Sequence, residues 1–279
     1  MTAQARFSFS EEAGDIPAIG FGTSPMLGGM SPEIVLTALK AGYRHIDTAR
    51  KYGTERAVGE GIRASGIPRA DIFVTTKVSH ENLRPADFAR SVDESLRALD
   101  VDYIDLLLVH WPNPEIAVRE YMPALAKAKR DGLARHIGVA NFTTRLLDEA
   151  VALCSEPLVA LQAEYHPYLD QSKLLTAVRR HGLVYIAYCP LARGKLLNDP
   201  VLAEIAKAHG RSVAQIALRW LVQQNVAAIP FSSNPQRVAD NFNVFDFVLT
   251  DDEMKRIAAL ARPNGRLANP VGRVPGGWD

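Results

Sequence analysis

Tyr103-Ile104-Asp105-Leu106-Leu107-Leu108-Val109-His110 is an apolar run with a polar residue at its C-terminal end. A run of this length, rich in branched side chains, reads as a strand buried on both faces, which is the habit of parallel sheets. Seven more runs of the same kind recur at wide spacing: Ile19–Thr23, His45–Asp47, Ile72–Lys77, His136–Asn141, Val159–Glu164, Val184–Tyr188 and Val226–Pro230. Most of the gaps between them carry a helical period. Ser31-Pro32-Glu33 precedes apolar positions at Ile34, Val35, Ala38 and Leu39, with Gly42 after them, and Arg84-Pro85 opens a stripe through Phe88, Val92, Leu96 and Leu99. Eight strand-and-helix units in about 250 residues predict a (β/α)8 TIM barrel rather than an open doubly wound sheet. Arg6-Phe7-Ser8-Phe9 and a turn at Ala13-Gly14-Asp15 predict an N-terminal β-hairpin that caps the bottom of the barrel.

Composition sets the outer limits. Of 279 residues, 47% are hydrophobic and 23% charged, so the chain can bury a large core, and no linker or repeat divides it; residues 1–279 are expected to form one domain. Lys plus Arg number 32 against 31 Asp plus Glu, which provides no global field for nucleic acid or an anionic membrane. Any anion must be held locally. Cys154 and Cys189 make neither a disulfide framework nor a metal motif, His80-Glu81-Asn82-Leu83-Arg84 departs from H-E-x-x-H, and no apolar run approaches the roughly 20 residues of a membrane span. A metal-free, cytoplasmic, monomeric protein is expected.

In a barrel of this kind, chemistry gathers where strands end. The ends here supply Asp47 with Tyr52 just beyond, Lys77, His110, Asn141, Gln162 with Glu164, Tyr188 and Ser232. Singly, each has an ordinary structural explanation; the combination suits carbonyl reduction. A phenol is a weak acid unless a cation stabilises its anion, Lys77 can be that cation, Asp47 its counter-ion, and His110 can orient a substrate oxygen. The hydride source cannot sit on a Rossmann turn, because Gly20-Phe21-Gly22 runs into Thr23, Ser24 and Pro25 without a G-x-G-x-x-G pattern. Ser232-Ser233-Asn234-Pro235, with Arg237 and Asn241 following, reads either as a phosphate cradle at a helix N-terminus or as an ordinary capped helix.

These residues carry a resemblance to the aldo-keto reductases from about Phe9 to Asp279. It rests on Gly42-Tyr43-Arg44-His45-Ile46-Asp47-Thr48-Ala49 with Tyr52, Gly53 and Glu55, Thr75-Thr76-Lys77, Leu107–Pro112, Ile137–Phe142, Gln162–Pro167 and Tyr188-Cys189-Pro190-Leu191. Asn264-Gly265-Arg266-Leu267 and Trp278-Asp279 are similar to the branch acting on 2,5-diketo-D-gluconate. The resemblance implies NADPH across the top of the barrel, Tyr52 as general acid, and Asp47, Lys77 and His110 as its supports. It implies that Thr23, Asn141 and Gln162 line the cofactor site, Asn141 and Gln162 holding the carboxamide, with the Tyr188 ring under the nicotinamide. Cys189, Leu191, Gly194 and Lys195 would lie along the pyrophosphate, and Ser232, Arg237 and Asn241 at the adenosine end.

Three positions depart from the family's habit. Ala140 stands where a Ser is usual, Cys189 replaces another Ser, and Phe231 takes the place of a Lys that meets the 2′-phosphate, so NADH use is possible. Met26, Trp111 and Trp278 are expected around a small polar pocket, suited to a small-molecule carbonyl such as methylglyoxal or 2,5-diketo-D-gluconate. The Pro/Gly-rich tail from Ala261, with Arg262, Arg266 and Arg273, is expected to form a mobile rim. The competing reading is a barrel that binds the cofactor as a sensor or partner subunit with little turnover; a metal-dependent hydrolase lacks its ligands. Trp220 and Cys154 are expected in the core, His166 as structural, and Lys127, Lys129 and Arg130 as a solvated helix end.

Overall fold

The structure is a computed structural model that describes residues 4–10, 12, 14–24 and 30–279; Ala13 of the expected turn and Met26 of the expected pocket lie outside them. The chain begins with strands β1 (Arg6–Ser8) and β2 (Asp15–Pro17), paired antiparallel, and continues through β3 (Phe21–Gly22), α1 (Pro32–Ala41), β4 (His45–Asp47), α2 (Glu55–Ser65), β5 (Phe73–Val78), α3 (Pro85–Leu99) and β6 (Ile104–Val109). Then come α4 (Val118–Arg130), β7 (Ala134–Ala140), α5 (Thr144–Leu153), β8 (Leu158–Glu164), α6 (Ser172–Arg180), β9 (Val184–Tyr188), α7 (Pro200–His209), α8 (Val213–Val222), β10 (Val226–Ala228), α9 (Pro235–Phe242) and α10 (Asp251–Ala258). Strands β3 to β10 pair in chain order, each parallel to the next. Gly20 N–H donates to Ala228 O at 2.8 Å, Ala228 N–H to Ala18 O at 2.9 Å and Gly22 N–H to Pro230 O at 3.0 Å, which joins the two ends and closes the barrel.

The side-chain period of two sorts each strand into an outer and an inner set. Ile46, Val74, Val78, Leu107, Val109, Ala163 and Ala187 pack outward against the helices. Phe73, Leu106, Leu108, Val159, Val184, Ile186 and Ala227 fill the interior, where Phe9 and Ile16 of the hairpin region join them. The hairpin therefore plugs the end at which the strands begin. Lys129 on α4 pairs with Glu12 and, at 3.7 Å, with Glu156, so this lysine is a half-buried tie between cap and helix rather than the solvated group expected from its neighbours. Gly20 faces the interior beside His45, and a Cβ there would collide with the imidazole, so only glycine fits. Trp220 is buried and donates to Met254 O at 3.2 Å, as its apolar helix face suggests. Cys154 caps the end of α5 and is half-buried, because the helix stops before carrying it inward.

Candidate active site

Because Ile46, Val78, Val109, Ala163 and Ala187 point out, their neighbours Asp47, Lys77, His110, Gln162 and Tyr188 point in, at the end where the strands finish. Tyr52 joins them from the single helical turn Arg50–Tyr52, which Gly53 ends at φ 68°. Lys77 Nζ lies 2.6 Å from Asp47 Oδ1 and donates to Thr48 O at 2.8 Å, while Gln162 Nε2 donates to Asp47 Oδ2 at 2.8 Å. Asp47 and Lys77 are each 1% exposed. The ammonium sits 5.3 Å from the Tyr52 ring centre, and Tyr52 Oη is 3.5 Å from His110 Nε2 with the two rings edge to face. All four candidate catalytic side chains thus meet at one point.

Burial dominates the electrostatics of the cluster. It raises the Asp47 carboxyl against the opposing pull of Lys77 and Gln162, and lowers the Lys77 ammonium against the pull of Asp47. Their short contact keeps both in the ionised form, since each charge is the other's compensation. Burial, followed by the Lys77 charge, holds His110 well below the usual imidazole range. Burial, then the Asp47 charge, raises the Tyr52 phenol above its ordinary range. Burial is the larger of the two causes, and the ammonium's short contacts go to Asp47 and Thr48 rather than to the phenol oxygen.

Beneath the cluster runs a chain of hydroxyls in which Thr48 and Thr54 are absent from the expected set. Thr48 Oγ1 and Thr54 Oγ1 are 2.9 Å apart, and Thr54 is 3.2 Å from Thr23 Oγ1. Thr23 gives its hydroxyl hydrogen to Asp47 O at 2.9 Å, which commits to the strand end a donor that was expected to serve a cofactor. Glu55, buried at the start of α2, accepts from Thr76 Oγ1 at 2.7 Å. Two carboxamides expected side by side are also partly committed. Asn141, held at φ 62°, donates to His110 O at 2.8 Å and accepts from Tyr188 Oη at 2.7 Å, and Gln162 turns toward Asp47. The second Nδ2 hydrogen of Asn141 has no partner among the described residues.

Cys189, Leu191, Gly194 and Lys195 lie on the turn after β9, and Cys189 adopts φ 49°. Asn234 caps α9 by accepting Arg237 N–H at 3.1 Å, and Arg237 Nε donates to Ser232 Oγ at 3.2 Å. Asn241 is buried one turn further on. Phe231 packs against Phe21 at 6.0 Å and offers no charge. Arg193, Lys195 and Arg237 have no acidic partner within 4.0 Å among the described residues, so the donor set fits a dinucleotide phosphate. Across the opening, Trp111 meets Trp278 edge to face at 6.0 Å.

The tail that carries Trp278 is pinned, contrary to the expected mobile rim. Glu164, buried at the end of β8, accepts Leu267 N–H at 2.7 Å, Ala268 N–H at 2.8 Å and His166 Nε2 at 2.9 Å. Arg273 Nη1 reaches His80 Nδ1 at 2.7 Å, and Thr144 N–H donates to Asp279 Oδ2 at 2.9 Å. His166 is accordingly a structural group.

A model of the Aldo/keto reductase family matches residues 18–262. The chain belongs to the aldo/keto reductase family. It is 41% identical over 267 residues to the methylglyoxal reductase DkgB of Escherichia coli O157:H7, covering 95% of this chain and 99% of that one. It is 42% identical over 259 residues to morphine 6-dehydrogenase of Pseudomonas putida, covering 88% of each. A crystal structure provisionally assigned as a 2,5-diketo-D-gluconic acid reductase B superposes with a TM-score of 0.95 at 48% identity, over 99% of this chain and 98% of that one. An aldo-keto reductase of Bombyx mori in complex with NADP superposes at 0.88 with 31% identity, over 97% and 96%. This aldo/keto reductase is therefore an oxidoreductase with the family's barrel and hairpin.

Proposed function

We propose that this aldo/keto reductase uses NADPH to reduce small, electron-poor dicarbonyls, methylglyoxal and 2,5-diketo-D-gluconate among them. The observation that carries the reading is the placement of Tyr52 Oη 3.5 Å from His110 Nε2, above a Lys77–Asp47 pair sealed from water. NADPH, when bound, supplies hydride to the carbonyl carbon. Tyr52 gives its phenolic proton to the carbonyl oxygen, so that the C=O bond becomes a CH–OH. A phenol kept neutral by burial is loaded for this step across the physiological range. The phenolate left behind faces the Lys77 ammonium, whose charge then has a second anion to stabilise. His110, neutral and with its proton on Nε2, donates to the same oxygen and fixes the carbonyl beside Tyr52.

Asn141 and Gln162 hold the carboxamide of the nicotinamide, with Tyr188 beneath the ring. Leu191, Gly194 and Lys195 serve the pyrophosphate, and Ser232, Arg237 and Asn241 the adenosine end. Arg237 alone supplies charge for a 2′-phosphate where Phe231 stands, so NADPH is preferred over NADH only moderately. Purified protein mixed with NADPH and methylglyoxal should lose the absorbance of the reduced coenzyme. Arg237→Ala should bring the kcat/KM values of the two coenzymes to within a few-fold of each other. No turnover with any reactive aldehyde leaves the sensor reading standing, and an undiminished NADPH preference in the variant places the phosphate elsewhere.

A further inference from the structure

Arg266 stands apart from the other cations around the opening. Arg193, Lys195 and Arg237 are exposed and hydrated, whereas Arg266 is half-buried, its guanidinium lies 3.6 Å over the Trp278 ring, and its Nη1 is buried with no hydrogen-bond partner among the described residues. Every ion pair of the described residues leaves it out. A guanidinium withdrawn from water without a counter-ion is costly, and an incoming anion removes that cost. The chain around it is fixed. Gly265 passes so close to Tyr168 O that a Cβ would overlap it, and the next two N–H groups, Leu267 and Ala268, are clamped by Glu164. Trp278 in turn faces Trp111, which follows His110 in the chain, so the stacked guanidinium stands on the side of the barrel where Tyr52 and His110 meet. Its field is felt at Tyr188, where it works against the burial that raises the phenol.

We propose that Arg266 is the carboxylate anchor of this site, holding the acid group of a keto-acid substrate while its carbonyl is presented to Tyr52 and His110. The proposal rests on the reductase reading above and adds a division of labour. A planar guanidinium flat on an indole presents the fork geometry that matches a carboxylate, and its unpartnered Nη1 lacks the acceptor that an acid group would bring. Arg273, by contrast, spends a donor on His80 at 2.7 Å and serves the rim. A small dicarbonyl with no acid group would use Tyr52 and His110 alone.

The test compares Arg266→Met and Arg266→Lys with wild type on two substrates, 2,5-diketo-D-gluconate and uncharged methylglyoxal. Arg266→Met should lower kcat/KM for the keto acid about 10- to 100-fold, leave methylglyoxal within about two-fold, and leave NADPH affinity, read by cofactor fluorescence, unchanged. Arg266→Lys should recover part of the loss, because a point charge replaces the fork. Unreactive D-gluconate should quench tryptophan fluorescence of the wild type and lose about ten-fold in affinity with Arg266→Met, a readout independent of turnover. Equal losses on both substrates, weakened NADPH binding, or no loss on the keto acid would each overturn the anchor. A wild type that reduces neither substrate overturns the reductase reading instead, and gluconate quenching then judges the anchor separately.

Discussion

Tyr52 has no other route to its chemistry than its own hydroxyl, since His110 is held neutral by burial and Lys77 is occupied by Asp47 and Thr48. Tyr52→Phe keeps the ring against His110 and removes only the proton. Turnover should fall about 10²- to 10⁴-fold, toward the upper end, with NADPH binding unchanged; a variant that keeps a tenth of wild-type single-turnover rate has another acid. The pH profile follows from the same two shifts. His110 is depressed, so it is already the neutral imidazole above about pH 6, and the Tyr52 phenol is raised, so it stays protonated well past about pH 9. The single-turnover reduction rate should therefore be flat between those limits. An alkaline loss centred near pH 8 would mean that Lys77 does lower the phenol once the site is filled. The identities of Asp47, Lys77 and His110 were legible in the sequence because each ends an apolar strand at an inward position. The direction of the Tyr52 shift was not, because it depends on how deeply the folded barrel buries the phenol and on its approach to Asp47.

At the scale of elements, all eight barrel strands could be read from their runs, and helices α1 and α3 from their Pro starts and apolar stripes. The tail could not. Its Pro/Gly composition gives no local pattern, and its main clamp is a carboxylate more than a hundred residues away in sequence, aimed at two backbone N–H groups. Burial alone would raise the Glu164 carboxyl, but His166 and those two N–H groups outweigh it and hold it below its ordinary range. Glu164→Gln keeps the size of the side chain while setting an NH2 donor against one of the N–H donors. The tail should then open independently of the barrel, and trypsin should cut at Arg266 and Arg273 at least about ten times faster, at modest cost in Tm, as expected of a sub-global opening. Cleavage at the wild-type rate would show that the other pins, at His80 and Thr144, suffice without the carboxylate.

For the molecule as a whole, the barrel interior sets the acid limit. His45 lies fully buried among Phe73, Gly20 and Thr75, its Nε2 3.0 Å from Thr75 Oγ1 and its Nδ1 without a partner among the described residues. Burial, then the charges of Lys77 and Arg6, pushes its pKa down to about 3. His110 is shifted in the same direction. In the unfolded chain both titrate near 6.5, so below that pH the unfolded state binds protons that the fold refuses. The contribution of the two imidazoles is thus fully present above about pH 6.5 and is lost progressively as pH falls, for His45 until about pH 3, where the folded state also takes up its proton. Carboxylates held low, such as Glu164, act only further down, below their ordinary range near 4.5. The interval from about pH 6.5 to 5 therefore belongs to histidine. Tm should drop steadily across it, with close to one proton taken up on unfolding for each of His45 and His110, and His45→Gln should flatten the slope by its own share whatever it does to Tm at neutral pH. A wild-type Tm that stays level from pH 7 to 5 would mean that the barrel admits a charged imidazole, and with it enough water to relax the sealed Lys77–Asp47 pair.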